Sequence, residues 1–204
     1  MSYTVVLAFA RMNPPTVGHG LLCKKVVETA TLAGADHVIY LTQTVDKKKN
    51  PLSLARKLFW AKKMFHGVNI VGTDARTKTF IDAVKSLDGK YGKLVVVAGS
   101  DRVAEFKTLL EKYNGKDYKF ASIEVVSAGE RDPDADNATG MSASKMRKAA
   151  AENNIREFKK GLPSSFKDSE ATSMMKEIRT GMGILSEGVS YGSFMTNLSK
   201  TLEH

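Results

Sequence analysis

The chain has a single cysteine, Cys23, among 204 residues. That excludes a disulfide framework and a zinc site built from several thiolates, and it fits a reducing compartment such as the cytoplasm. Long apolar runs are also missing. The early run over residues 5–10 is far short of the roughly 20 residues a bilayer demands, and no basic stretch precedes it. A membrane span and a secretory signal are therefore not expected. The sequence has no GxGxxG and no GxxxxGK[ST]. The dinucleotide fingerprint of dehydrogenases and the P-loop of kinases and ATPases are thus both unsupported.

Acidic residues are in short supply as well, with 22 Asp+Glu against 31 Lys+Arg and a net charge of +9. A solvated basic surface, a nucleic-acid surface and a polyphosphate pocket are all consistent with that excess, and composition does not choose among them. What is present is ordinary for a globular chain: 42% hydrophobic and 26% charged residues, enough to bury one sizeable core. The terminal Leu202-Glu203-His204 has the look of a cloning linker running into a histidine tag and is set aside.

Short β-type runs alternate with helical periodicity. Strands are predicted over residues 3–9, 37–42, 68–71, 94–98 and 120–126. Helices are predicted over 17–33, from Pro51 and Ser53 onward, over 79–87, 101–113, 142–152, 155–160 and 168–179. The stretch from Gly181 onward reads as a loosely docked tail. Strand–helix alternation of this kind implies right-handed crossovers and an α/β, Rossmann-like three-layer sandwich, with a parallel sheet of about five strands and a small C-terminal helical extension. The domain reading is 1–163 for the main domain, 164–185 for the extension, 186–201 for the tail and 202–204 for the tag remnant. In such sheets ligands bind beyond the carboxyl ends of the strands where the strand order reverses. Loops 10–16, 43–50, 99–102 and 127–141 are the ones to interrogate.

The first of these runs Ala10-Arg11-Met12-Asn13-Pro14-Pro15-Thr16-Val17-Gly18-His19. It is a proline-stiffened turn that delivers Thr-x-Gly-His to the start of a helix. A helix N-terminus offers unpaired N–H groups and partial positive charge to an anion. Gly18 leaves room for a phosphate, and Thr16 can cap the helix or donate to phosphate oxygen. His19 can donate an imidazole hydrogen bond, and Arg11 adds a planar fork.

With those residues in place the chain resembles the HxGH/TxGH nucleotidylyltransferases, the cytidylyltransferase-like superfamily, whose first loop looks like G-R-F-x-P-x-H-x-G-H. Ala10, Arg11, Met12, Pro14, Thr16, Gly18 and His19 occupy those places. The departures are Ala10 for Gly, Met12 for Phe and Thr16 for the first His; the last is a variant known from phosphopantetheine adenylyltransferase. The family's I-S-x-T-x-x-R is matched by Met141-Ser142-Ala143-Ser144-Lys145-Met146-Arg147. Asn50-Pro51-Leu52-Ser53 with Arg56 is similar to a segment of nicotinamide mononucleotide adenylyltransferase-like members. Gly99-Ser100-Asp101-Arg102 resembles the G-[SA]-D turn. The chain is also similar to phage-encoded cytidylyltransferase-like proteins, which implies a bacterial host cytoplasm as its location.

The resemblance implies transfer of a nucleoside monophosphate to a small phosphorylated acceptor, with release of pyrophosphate and no covalent intermediate. AMP from ATP is the first expectation. CTP with a phosphosugar or phospho-alcohol is the alternative, and a basic nucleic-acid-binding or nucleotide-sensing protein is the alternative of another class. His19, Thr16, Arg11 and Arg147 are the expected catalytic residues. Ala10, Met12, Gly18, Ser142, Ser144, Gly99, Asp101 and Arg102 are expected to bind nucleotide, and Lys49 and Arg131 to contact phosphate or acceptor. Magnesium is expected on the nucleotide phosphates with no dedicated protein ligands. A nucleoside triphosphate and the acceptor are the expected partners. The lack of a reader motif or aromatic platform argues against nucleic acid, no membrane is expected, and a homo-oligomer is left open. Lys47 and Lys48 are lesser candidates for a phosphate clamp. Asp101 reads equally as a helix cap, Trp60 as packing, and His37 and His66 as structural or exposed.

Overall fold

A computed structural model describes residues 3–129 and 141–184. The strands are β1 (Thr4–Ala10), β2 (Asp36–Leu41), β3 (Ile70–Gly72), β4 (Lys93–Ala98) and β5 (Ser122–Ser127). They form one sheet in the order β3-β2-β1-β4-β5, with every pairing parallel. The chain thus has a parallel five-stranded α/β fold of the Rossmann-like kind, as its alternation predicts. The order reverses between β1 and β4, so their carboxyl ends, Ala10 and Ala98, open the crevice where such sheets bind ligands.

The continuous apolar character of β1 follows from burial on both faces. Successive side chains point to opposite sides. Val5 and Leu7 enter one core with Phe80, Val84, Phe106 and Leu110, while Val6 and Ala8 enter the other with Leu22, Val26 and Ala61. The helices α1 (His19–Ala33) and α2 (Leu54–Met64) therefore cover one face, and α3 (Phe80–Lys85) and α4 (Val103–Tyr113) the other.

Local signals explain the helix ends. Gly34 stops α1 at φ 56°, a left-handed conformation that glycine adopts at little cost. Ser53 caps α2 by accepting from the Arg56 N–H, and Thr79 with Asp82 forms a capping box on α3.

Helices α5 (Ala143–Ala151), α6 (Ile155–Lys159) and α7 (Asp168–Gly181) enclose a third cluster. It is built on Met146, Phe158, Met174 and Ile178 and reaches Leu52 and Trp60 beside α2. Trp60 is packing, as its spacing suggests, and its indole N–H donates to Glu177 Oε2 at 2.9 Å. The reading of Gly181 as the start of a loose tail is corrected. Gly181 ends α7 so close to Pro51 that an added Cβ would lie 2.0 Å from the Pro51 carbonyl oxygen. Residues 185–204 lie outside the described residues.

Candidate functional site

A cavity of about 780 Å³ opens at the carboxyl ends of β1 and β4. Arg11, Gly18, His19, Lys49, Gly99, Asp101, Arg102, Ser142, Ser144 and Arg147 all line it. Four separate stretches of sequence thus converge on one space. Arg131 lies outside the described residues.

The first loop is held rigidly. Met12 takes φ 43°, a conformation uncommon for a residue with a side chain, and is buried in the core, so it offers the cavity backbone more than side chain. Asn13 is 2% exposed and bonds in both directions: Nδ2 donates to the Leu52 carbonyl at 2.9 Å, and Oδ1 accepts from the Leu52 N–H at 2.9 Å. The first loop and the Asn50-Pro51-Leu52-Ser53 segment are thereby clamped together.

Two expectations at α1 are corrected. Thr16 is not its cap, since Gly18 occupies that position and no side chain caps it. The helix also does not present a row of open donors. The N–H groups of Val17, His19 and Gly20 go to the carbonyls of Gly161, Thr16 and Val17. The helix end contributes partial charge, and Gly18 lines the cavity at an ordinary φ of −63°.

Thr16 instead orients His19. Its backbone N–H donates to His19 Nδ1 at 3.0 Å, and its hydroxyl oxygen lies 3.0 Å from the same nitrogen and 3.0 Å from the Met141 carbonyl. A backbone N–H can only donate, so Nδ1 is an acceptor and the imidazole proton resides on Nε2. Both residues are buried, Thr16 at 1% exposed. The threonine thus selects the tautomer of the histidine three residues on and ties it to the segment that opens α5.

That segment brings the second cation. Arg147 donates from Nη1 to the Asn13 carbonyl at 2.7 Å and from Nη2 to Ser144 Oγ at 3.0 Å. Only two of its five N–H donors are committed in these bonds. Burial and the neighbouring Arg11 both push its pKa down from the usual arginine range, against a smaller upward effect of Asp46. Two guanidiniums held together beside one cavity make a site for an anion of more than one charge. Ser142 caps α5 by accepting from the Lys145 N–H at 3.1 Å. A serine that accepts in this way still has its O–H to donate, and the same holds for Ser144 beneath Arg147.

The β4 side differs from expectation. Asp101 lies in a 3₁₀ turn, Ser100–Arg102, and caps no helix. Its Oδ1 sits over Gly99, where an added Cβ would come within 2.7 Å. Arg102 lines the cavity, yet its guanidinium is forked onto Glu105 at 3.0 and 3.2 Å and lies 4.7 Å from the Phe106 ring. It is a partly neutralised cation.

On the β2 side, loop 46–50 is closed by Asp46, whose carboxylate accepts from the N–H groups of Lys48 and Lys49 and from Asn50 Nδ2. These bonds hold its pKa down at about 2. Lys49 reaches the cavity wall, whereas Lys47 runs toward Gly183. Beneath this loop Lys57, 0% exposed, donates to the Thr42 carbonyl, and burial pushes its ammonium down to about 8. Asn13, Asp46, Asn50 and Lys57 are the residues that motif reading passes over. Asn13 and Asn50 stand within quoted motifs and could have been found there, whereas nothing in the pattern marks a lysine on an amphipathic helix as buried.

The remaining groups fall away from the site. Cys23 is buried in the α1 core, which pushes its thiol up to about 12, far from a nucleophile's range. His37 accepts from the Asn69 N–H at 3.2 Å, a structural role, and His66 is exposed. Among the described residues no helix is long and apolar enough to cross a membrane.

No family model and no curated protein matches the chain. Among solved structures, the fold is similar to Plasmodium falciparum nicotinic acid mononucleotide adenylyltransferase complexed with APC. The TM-score is 0.52 at 13% identity, covering 87% of this chain and 95% of that one. A macrolide-efflux protein from Streptococcus pneumoniae aligns at TM-score 0.47 and 16% identity, over 79% of this chain and 56% of that one. At 13% identity the first likeness establishes a shared fold, a parallel-sheet α/β sandwich.

Proposed function

We propose that the protein is a nucleotidylyltransferase, moving a nucleoside monophosphate from a triphosphate to a small phosphorylated acceptor and releasing pyrophosphate. The observation that carries this reading is the convergence of Arg11, Arg147 and a tautomer-fixed His19 on one cavity at the sheet's switch point. ATP is the first donor to test, from the Arg11 and Asn50-Pro51 matches; CTP is the second.

In the reaction, an acceptor phosphate oxygen forms a bond to the α-phosphorus while the bond from that phosphorus to the leaving pyrophosphate breaks. A phosphate monoester is already a nucleophile, so no side chain has to remove a proton. Catalysis falls to alignment and charge stabilisation. The Nε2–H of His19 donates to a non-bridging oxygen of the α-phosphate. Arg11 and Arg147 hold the pyrophosphate end, with the O–H groups of Ser142 and Ser144 beside them. Thr16 keeps the imidazole in the donating tautomer.

Magnesium on the phosphates fits the donor set. Among the described residues, Asp101 is the carboxylate lining the cavity. That carboxylate can accept a hydrogen bond from one of the waters such an ion keeps. When bound, the ion neutralises phosphate charge.

The decisive experiment measures pyrophosphate release with each nucleoside triphosphate against a panel of phosphorylated acceptors. Release that depends on both a triphosphate and an acceptor is the expected result. No release under any pairing overturns the enzymatic reading in favour of a nucleotide sensor.

A further inference from the structure

Among the described residues, Asp101 and Asn50 are acceptors on a cavity wall otherwise rich in donors, and of the two only Asn50 has an acceptor buried without a partner. Arg11, Lys49, His19, Arg147 and the two serines are donors, suited to phosphate oxygens. Asn50, on the same wall, is 3% exposed, and its Oδ1 is a buried acceptor with no hydrogen-bond partner among the described residues.

Every other polar atom of Asn50 is committed. Its N–H and C=O both bond Asp46, at 3.2 and 2.9 Å, and its Nδ2 donates to Asp46 Oδ2 at 2.5 Å. That last contact fixes which end of the amide is oxygen, because an ionised carboxylate only accepts. Turning the amide over would set oxygen against oxygen. Buried acceptors are almost always satisfied, and an exception on the wall of a cavity calls for a donor from whatever fills it.

Phosphates ionised at neutral pH have no donor to give. Within a phosphorylated ligand a donor therefore comes from the carbon skeleton, and a hydroxyl is the group such skeletons carry most. We infer that Asn50 Oδ1 is a specificity-determining acceptor for a sugar hydroxyl of a ligand in this cavity. Resting on the proposed nucleotidyl transfer, this gives the site a requirement the phosphate-binding residues do not impose. The ligand must be a phosphorylated sugar or polyol, not merely a phosphate ester. Two sources offer that chemistry: the ribose of the nucleoside triphosphate, and the acceptor.

Calorimetric titration separates them without turnover. One arm compares ATP with its 2′-deoxy and 3′-deoxy forms; the other compares ribose 5-phosphate with 2-deoxyribose 5-phosphate and pentyl phosphate. Wild-type protein is expected to lose affinity about ten-fold or more when the recognised hydroxyl is removed, in one of the two arms. Asn50→Leu is expected to bind the hydroxylated ligand as weakly as wild type binds the deoxy form. Where Asn50→Leu fails to fold, the side-chain amide resonance of Asn50 in wild type decides, by shifting with the hydroxylated ligand and not with its deoxy form. Wild-type indifference to hydroxyl removal in both arms overturns the inference, as does discrimination that survives in Asn50→Leu. Absence of pyrophosphate release overturns the enzymatic reading and leaves this binding result standing.

Discussion

Arg147 Nη1 donates to the main-chain carbonyl of Asn13 at 2.7 Å, joining two positions 134 residues apart. The second cation of the site is thus fastened to the same residue whose side chain clamps Leu52. One asparagine holds three stretches of sequence in register.

Arg147→Lys keeps the charge and loses the fork that reaches the Asn13 carbonyl and Ser144 together. We expect pyrophosphate release to fall about ten-fold or more with the circular dichroism spectrum unchanged. Full activity in the lysine variant removes Arg147 from the machinery.

His19→Ala is expected to lower turnover about 10²-fold or more while leaving folding intact, the scale of losing a donor aimed at developing charge. Thr16→Val tests the hydroxyl's tie between His19 and Met141 separately. It preserves the β-branched shape and the backbone N–H to Nδ1, but removes the hydroxyl near Nδ1 and Met141. Turnover several-fold lower, with KM for the triphosphate little changed, is the expected split. A variant that alters KM alone counts against an orienting role.

Asn13→Ala strips partners from both the N–H and the C=O of buried Leu52. Leaving buried polar groups unmet costs about 1–3 kcal/mol each, so denaturant unfolding should show a loss of at least about 2 kcal/mol. A loss under about 0.5 kcal/mol, the range of ordinary surface substitutions, contradicts the clamp.

Lys57 gives a stability that depends on pH in a defined sense. Its ammonium sits at about 8 in the folded protein, against an ordinary value near 10.5, because burial disfavours the charge. Between those values the unfolded chain binds the proton that the folded chain has released. Its contribution to stability therefore rises with pH across that window, and the penalty is fully present below pH 8. Urea unfolding of wild type and Lys57→Met at about pH 7.5 and about pH 10 isolates this from the buried thiol and phenols. The stability difference, wild type minus variant, should increase at the higher pH; a flat or falling difference contradicts the assignment.

Much of the fold is legible in the sequence because its signals are local. The β1 pattern, Gly34, Ser53 and the Thr79–Asp82 capping box each act within a few residues of themselves. What motif reading leaves out is tertiary. Thr16 looks like a cap until Met141, 125 residues away, is seen to share its hydroxyl. Asn50 reads as the first residue of a quoted motif, with no sign in the sequence that burial leaves its Oδ1 unmet. Arg102 reads as a phosphate cation until Glu105 occupies its fork. Each of these depends on which stretches meet in space, and no spacing along the chain encodes that.

The seam at Asn13 joins parts of the chain that are made at different times. A ribosome has released the whole sheet once Ser127 has emerged, and the chain can then build both cores around β1. At that moment the cavity has Arg11 and His19 on one wall but lacks the serines and the guanidinium of α5, which arrive only with Ala143–Ala151. The Pro51 face, too, waits for Gly181 to seat against it. In chain order the sheet is therefore complete before the cavity wall is, and the last of the site's described residues to be made are those of α5.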